Sequence, residues 1–282
     1  MLDVLVDSLL DALKLLPFLL IIYILIELSE RLSFLSPRKL NGRAAPLIGA
    51  LTGLVPQCGF SVMAAKLYDK KYIRTGTLLA VFLATSDEAF VILLSSGSIL
   101  PLLSLLGVKF LVAVSFGYLA YFALRRREQI EIGQGEEEFH SCGREHTHKP
   151  WMDDFVMPCL HALKITAYIF AVNLIFGTLF YFIGEENVEN FLSANIFLQP
   201  LITTLVGLIP NCASSVILTQ TFLKGGIAFG SCVAGLCINA GMGLVVLLRN
   251  VKEWRRNLLL ISTLCAISIA VGTVINLLSF LF

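Results

Sequence analysis

The sequence predicts an all-α integral membrane protein made of two inverted repeats, each with three transmembrane helices plus one re-entrant helical hairpin. Three observations carry this: an apolar composition, eight apolar windows of bilayer-spanning length, and a duplicated proline-centred motif. Of the 282 residues, 57% are hydrophobic and 15% charged, with a mean hydropathy of +0.83. Soluble domains carry about 45–50% apolar and about 25% charged residues. A soluble core of this size cannot hide the surplus. A net charge of +1 leaves no electrostatic footprint for nucleic acid. No secretory leader is expected, because Asp3, Asp7 and Asp11 stand where a leader carries Lys or Arg.

The windows fall at about 9–28, 44–65, 76–94, 99–124, 155–183, 196–222, 226–248 and 257–281, each near the ~20 residues that span a bilayer. The long polar stretch 125–152 divides a first membrane repeat, 1–124, from a second, 153–282, and reads as a cytoplasmic His/Cys-containing linker. Gly53-Leu54-Val55-Pro56-Gln57-Cys58-Gly59-Phe60-Ser61-Val62 matches Gly207-Leu208-Ile209-Pro210-Asn211-Cys212-Ala213-Ser214-Ser215-Val216 at six of ten positions, an offset of 154. The same offset pairs Gly76 with Gly230 and Leu93 with Leu247. A motif held in register this way is an internal duplication.

Charge placement sets the topology. Loop 29–43 carries Arg31, Arg38, Lys39 and Arg43, and loop 66–75 carries Lys66, Lys70, Lys71 and Arg74. Simple alternation of spans puts the two on opposite faces, against the positive-inside rule. If 44–65 and 196–222 enter and return, both loops face the cytoplasm, with 125–152 and the basic loop 249–256. Pro56 and Pro210 sit mid-segment, where proline breaks the helical ladder. Three full spans per half is an odd number, so the second half is then upside down and the hairpin tips meet near the midplane; the alternative is two Pro-kinked spans in parallel repeats. Inverted repeats with broken midplane helices are the mark of secondary transporters.

At each tip the order is Pro, an amide side chain, Cys, then small or hydroxyl residues. The candidate substrate-binding residues are Pro56, Gln57, Cys58 and Ser61 in one half and Pro210, Asn211, Cys212, Ser214 and Ser215 in the other. A helix restarting after proline leaves backbone N–H groups unpaired toward a ligand. Gln57 and Asn211 offer donors and acceptors, and two thiols suit a soft metal or metalloid. The blander alternative is that the amides only satisfy the broken backbone. Thr85-Ser86-Asp87-Glu88 lies inside the span 76–94, and its repeat equivalent is Asn239-Ala240-Gly241-Met242. Acids at membrane depth are costly and functional, so Asp87 and Glu88, with Asn239, are candidates for a coupling proton or cation. Asn173 is a candidate for cross-helix hydrogen bonding or for lining the path.

In the linker, His140, Cys142, His146 and His148 are metal-ligand types in no fixed finger spacing, after the acidic run Glu136-Glu137-Glu138. The other cysteines, scattered through apolar segments, read as small fillers and form no disulfide framework. No Walker A, G-x-S-x-G or H-E-x-x-H motif is present, so the chain is not read as an enzyme or an ATP-driven pump.

The paired Pro-Gln-Cys-Gly (56–59) and Pro-Asn-Cys-Ala (210–213) tips in a duplicated membrane chain resemble the prokaryotic family of ten-segment heavy-metal exporters, whose members are labelled as arsenic efflux or manganese transporters. The resemblance covers essentially the whole chain. Six full spans and four half-helices make ten segments, in agreement with the count above. It implies a secondary transporter exporting a metal or metalloid ion by alternating access at the tips. No cofactor is expected beyond a coupling H+ or Na+. The expected surroundings are the bilayer of the cell (inner) membrane and a small ion or molecule as substrate; a homodimer is compatible with the sequence. The alternative is a transmembrane thiol–disulfide electron carrier using Cys58 and Cys212.

Overall fold

The computed structural model describes residues 9, 10, 13, 16, 17, 20, 42–85, 87–141, 157–183, 198–249 and 253–281, with backbone alone at residues 87 and 281, at 125–141 and at parts of 157–183. Among the described residues every regular element is a helix. In chain order they are α1 (Ala45–Gly53), α2 (Cys58–Asp69), α3 (Thr75–Ala84), α4 (Asp87–Ser95), α5 (Ile99–Ser141), α6 (Met157–Ile183), α7 (Gln199–Gly207), α8 (Cys212–Leu223), α9 (Phe229–Ile238), α10 (Met242–Leu248) and α11 (Trp254–Leu281).

The duplication extends to element boundaries. Shifting α1, α2 and α3 by 154 residues gives the bounds of α7, α8 and α9. Pro46 and Pro200 open their helices in the first turn, where a missing N–H costs nothing. Pro56 and Pro210 then end the run, and Gln57 and Asn211 adopt extended backbone before α2 and α8 begin.

The packing repeats as well. α1 lies on α3 and α7 on α9, while α3 packs on α5 and α9 on α11. The first two contacts are backbone to backbone. A Cβ on Gly53 would come within 2.5 Å of the Val81 carbonyl oxygen, and one on Gly207 would overlap that of Gly235. Only glycine lets the helices come this close. The second hairpin arms exchange partners: α2 packs on α10 of the other half, and α8 packs on α4. The core therefore forms where the two repeats interlock, around buried Phe82, Leu83, Leu218 and Leu236.

Two expectations need correction. The windows 76–94 and 226–248 were expected as unbroken spans, yet both are interrupted, after Ala84 and across Asn239–Gly241, at equivalent positions of the repeat. The second break bends the axis by 41°. At the first, the Thr85 hydroxyl donates to the Val81 carbonyl at 2.8 Å; at the second, the Asn239 side chain accepts from the Gly241 N–H at 3.0 Å. Side chains that bond the backbone locally draw it out of the helix. The stretch 125–152 was expected as a loop, but α5 continues through it to Ser141. Residues 125–141 lack proline and are rich in Arg, Glu and Gln, all good helix formers.

One end of the bundle is fixed by a polar cluster. Arg256 Nε donates to the Tyr68 hydroxyl at 2.6 Å, and its guanidinium lies 4.2 Å from that ring centre. Tyr68 also shares a 3.1 Å hydrogen bond with Thr75. Arg74 lies over Tyr121, 5.0 Å from the ring centre. Burial first, then the nearby Arg249 charge, hold the Lys66 ammonium below its ordinary pKa. Lys66, Tyr68, Arg249 and Arg256 thus gather at one end of the bundle. Of loop 29–43, residues 29–41 lie outside the described residues.

Among the described residues three helical stretches are long and apolar enough to cross a bilayer, 75–95 (counted across its break), 99–124 and 254–280. The bent pair α9–α10 passes the same test of length and composition when its two helices are taken together.

Candidate functional site

Four helix breaks converge where the repeats interlock, and the two tips meet there. The Cys212 thiol is within hydrogen-bonding contact of both the Cys58 thiol and the Glu88 carboxylate. The Ser215 hydroxyl donates to Glu88 Oε2 at 2.9 Å. Both tip cysteines are half-buried and neither is in a disulfide. The second tip therefore touches the first tip and the broken span of the first repeat. Ser61, on the first tip, abuts Gly243 of the second repeat, where a Cβ would come within 2.8 Å of the Ser61 Cβ.

The tip amides differ in use. Asn211 accepts from the Ala213 N–H at 3.1 Å and so caps α8. Gln57, one methylene longer, makes no such cap on α2 and is half-buried. The hydroxyls of Ser61 and Ser214 serve the broken backbone. Ser61 donates to the Cys58 carbonyl at 2.7 Å, and Ser214 to those of Asn211 at 2.7 Å and Ile209 at 3.1 Å. Asn239 Nδ2 donates to Ser214 Oγ at 2.9 Å, tying the break between α9 and α10 to the second tip. Pro56 is exposed and Pro210 half-buried, each ending the half-helix before its tip.

Asp87 begins α4, and its side chain lies outside what the structure describes. His140 belongs to the end of α5, again without a described side chain, while Cys142, His146 and His148 lie outside the described residues. Asn173 is 2% exposed, and neither of its side-chain polar atoms has a hydrogen-bond partner among the described residues. No set of three His, Cys, Asp or Glu side chains closes around a common metal position among the described residues.

One residue at this site escaped the sequence reading. Lys109, in the middle of α5, is fully buried. Its ammonium donates to the Thr85 carbonyl, at the first break, and to the Leu236 carbonyl at 2.8 Å, in the last turn of α9. The signal was present: 99–124 contains no other charge, and a lone charge at membrane depth marks a functional position.

The chain was compared with known proteins. No curated protein and no solved structure matches it. One family profile, described as "Putative, 10TM heavy-metal exporter", matches residues 1–157 and again residues 153–280. The two matches divide near residue 155, between the halves that carry the duplicated tips. A multi-pass helical membrane chain matched over nearly its whole length by this profile belongs to the family of 10TM heavy-metal exporters.

Proposed function

We propose that the protein is a secondary active exporter of a soft metal or metalloid ion, working by alternating access at two midplane hairpin tips in inverted repeats. The observation that carries this is the contact of Cys212 with both Cys58 and Glu88. Two thiols, a carboxylate and the uncapped Gln57 amide give a soft, polar site shared between repeats. Binding there is transient by design, since export requires release on the far side.

The inverted arrangement is supported by helix directions. Gly49 lies by Thr77, and Gly53 by Val81 and Ala84, so α1 runs parallel to α3 from its Arg74 end. That end joins Arg256, at the start of α11, through Thr75 and Tyr68. Gln199, at the start of α7, meets Ala228 and Ser231, and Ser231 accepts from Asn276. Asn276 stands twenty residues beyond Arg256 on α11, a rise of about 30 Å. The two hairpins therefore begin at opposite ends of a helix of bilayer length, which is what inverted, re-entrant hairpins require.

In this reading Glu88, with Asp87, carries the coupling proton, and its bond to Ser215 links its charge to the second tip. Asn239 holds the α9–α10 break to that tip. The cluster His140, Cys142, His146 and His148 is a separate metal-responsive element outside the path. The Cys58–Cys212 contact also suits the alternative, a thiol–disulfide electron carrier, in which both thiols are indispensable. The test is uptake of arsenite, with Mn2+ as the harder comparison, by purified protein in inside-out vesicles. Accumulation above protein-free vesicles is expected, driven by an imposed proton gradient. Reduction of an acceptor disulfide to its thiols, without ion uptake, would favour the carrier.

A further inference from the structure

We propose that the Lys109 ammonium is a tethered cation standing in a monovalent-cation position between the two broken spans, and that removing it opens a site for a free alkali cation. Two of its partners are main-chain carbonyl oxygens at the C-terminal ends of α3 and α9, one from each repeat. Helix C-termini carry partial negative charge. Unwound carbonyls and half-helix C-termini are the ligands that hold Na+ in broken-helix transporters. The Leu236 carbonyl is also short of its helical donor. The Ala240 N–H four residues on turns away to the Ile238 carbonyl at 2.8 Å. Where a free ion would be held, this chain brings its own charge on a four-carbon stem.

The position occurs once, not twice. Gly117 packs on Ala80 and Pro46, and Gly272 packs on Ala234 and Pro200, so α5 and α11 correspond at an offset of 155. The counterpart of Lys109 is then Leu264, buried and apolar. Lys109 thus breaks the repeat symmetry, as Glu88 does opposite Met242. A fixed cation bridging the ends of α3 and α9 holds the two broken spans together without a second solute. If the chain is the proposed exporter, its coupling ion is accordingly not Na+, whichever substrate it carries.

The test needs no substrate. Thermal unfolding of the full-length protein in detergent is followed in Na+, Li+, K+ and methylammonium, against N-methyl-D-glucamine at equal ionic strength. The wild type is expected to melt at one temperature in all of them. Lys109→Ala, which leaves a cavity lined by the carbonyls, is expected to melt lower and to recover saturably with Na+ or methylammonium, by about 5 °C. Lys109→Met, which fills the space without charge, is expected to recover with neither. A saturable rise of the wild type with an alkali cation would overturn the proposal. So would a folded Lys109→Ala protein indifferent to every cation. If Lys109→Ala does not accumulate, the wild-type comparison still decides, since a Na+-dependent wild type contradicts it and an indifferent one supports it.

Discussion

Ser215 donates a 2.9 Å hydrogen bond to Glu88, joining the second hairpin tip to the broken span of the first repeat. Glu88→Gln keeps an acceptor for Ser215 but removes the titratable charge. It is expected to fold normally and to lose proton-driven uptake while retaining passive exchange of substrate. Ser215→Ala is expected to slow both processes on the order of tenfold. Proton-driven uptake by Glu88→Gln at the wild-type rate would remove Glu88 from the coupling step.

The tip amides are expected to separate. Asn211→Ala removes the cap of α8, a loss of about 1 kcal/mol that lowers the unfolding temperature. Gln57 makes no cap, so Gln57→Ala is expected to leave stability unchanged and to reduce uptake. Unfolding curves and vesicle uptake on the same preparations check this. Equal destabilisation by both variants would mean that Gln57 is structural.

Close helix contact is expected to be intolerant at Gly207. Its Cβ would overlap the Gly235 carbonyl oxygen, whereas a Cβ on Gly107 meets nothing within 4 Å. Gly207→Ala is expected to destabilise by about 1–3 kcal/mol, the usual range for overpacking, and Gly107→Ala by none. Detergent-solubilised yield and unfolding temperature are the readouts.

Much of this arrangement was legible in the sequence because proline acts locally. Pro56 and Pro210 break helices whatever surrounds them, so the tips and the duplication could be read directly. The breaks after Ala84 and at Asn239 were missed because they rest on distant partners. Asn239 is held by Ser214, and the Leu236 carbonyl is taken by Lys109, 127 residues away. Thr85-Ser86-Asp87-Glu88 does carry the pattern of a helix start, a hydroxyl followed three residues on by Glu. The Asn239-Ala240-Gly241 run likewise carries turn residues. Hydrophobicity masked both signals. The helix beyond Arg127 is hidden for another reason: a charged, polar run resembles a loop in hydropathy, although Glu, Gln and Arg favour helix when no proline intervenes.

Topology yields a further expectation. Tyr68 and Arg256 are in contact, and in the proposed topology their loops face one side of the membrane. Cysteines placed at Lys70 and at Arg255 should both resist a membrane-impermeant thiol reagent in intact cells, measured against parent protein with its native cysteines. A cysteine at Gly225, beyond the second hairpin, should react. Labelling at Lys70 with protection at Arg255 would contradict the shared face.

The central claim is that Cys58 and Cys212 line a substrate site and do not form a redox pair. The most direct measurement is arsenite uptake by vesicles containing Cys58→Ser, Cys212→Ser or Gln57→Ala protein at matched density. Serine keeps a polar group of similar size, and the backbone N–H groups and Glu88 remain. The account predicts partial loss in each Ser variant, greater for arsenite than for Mn2+, and a comparable loss in Gln57→Ala. Complete inactivity of both Ser variants toward every substrate, beside near-normal uptake by Gln57→Ala, would contradict it and favour the electron carrier.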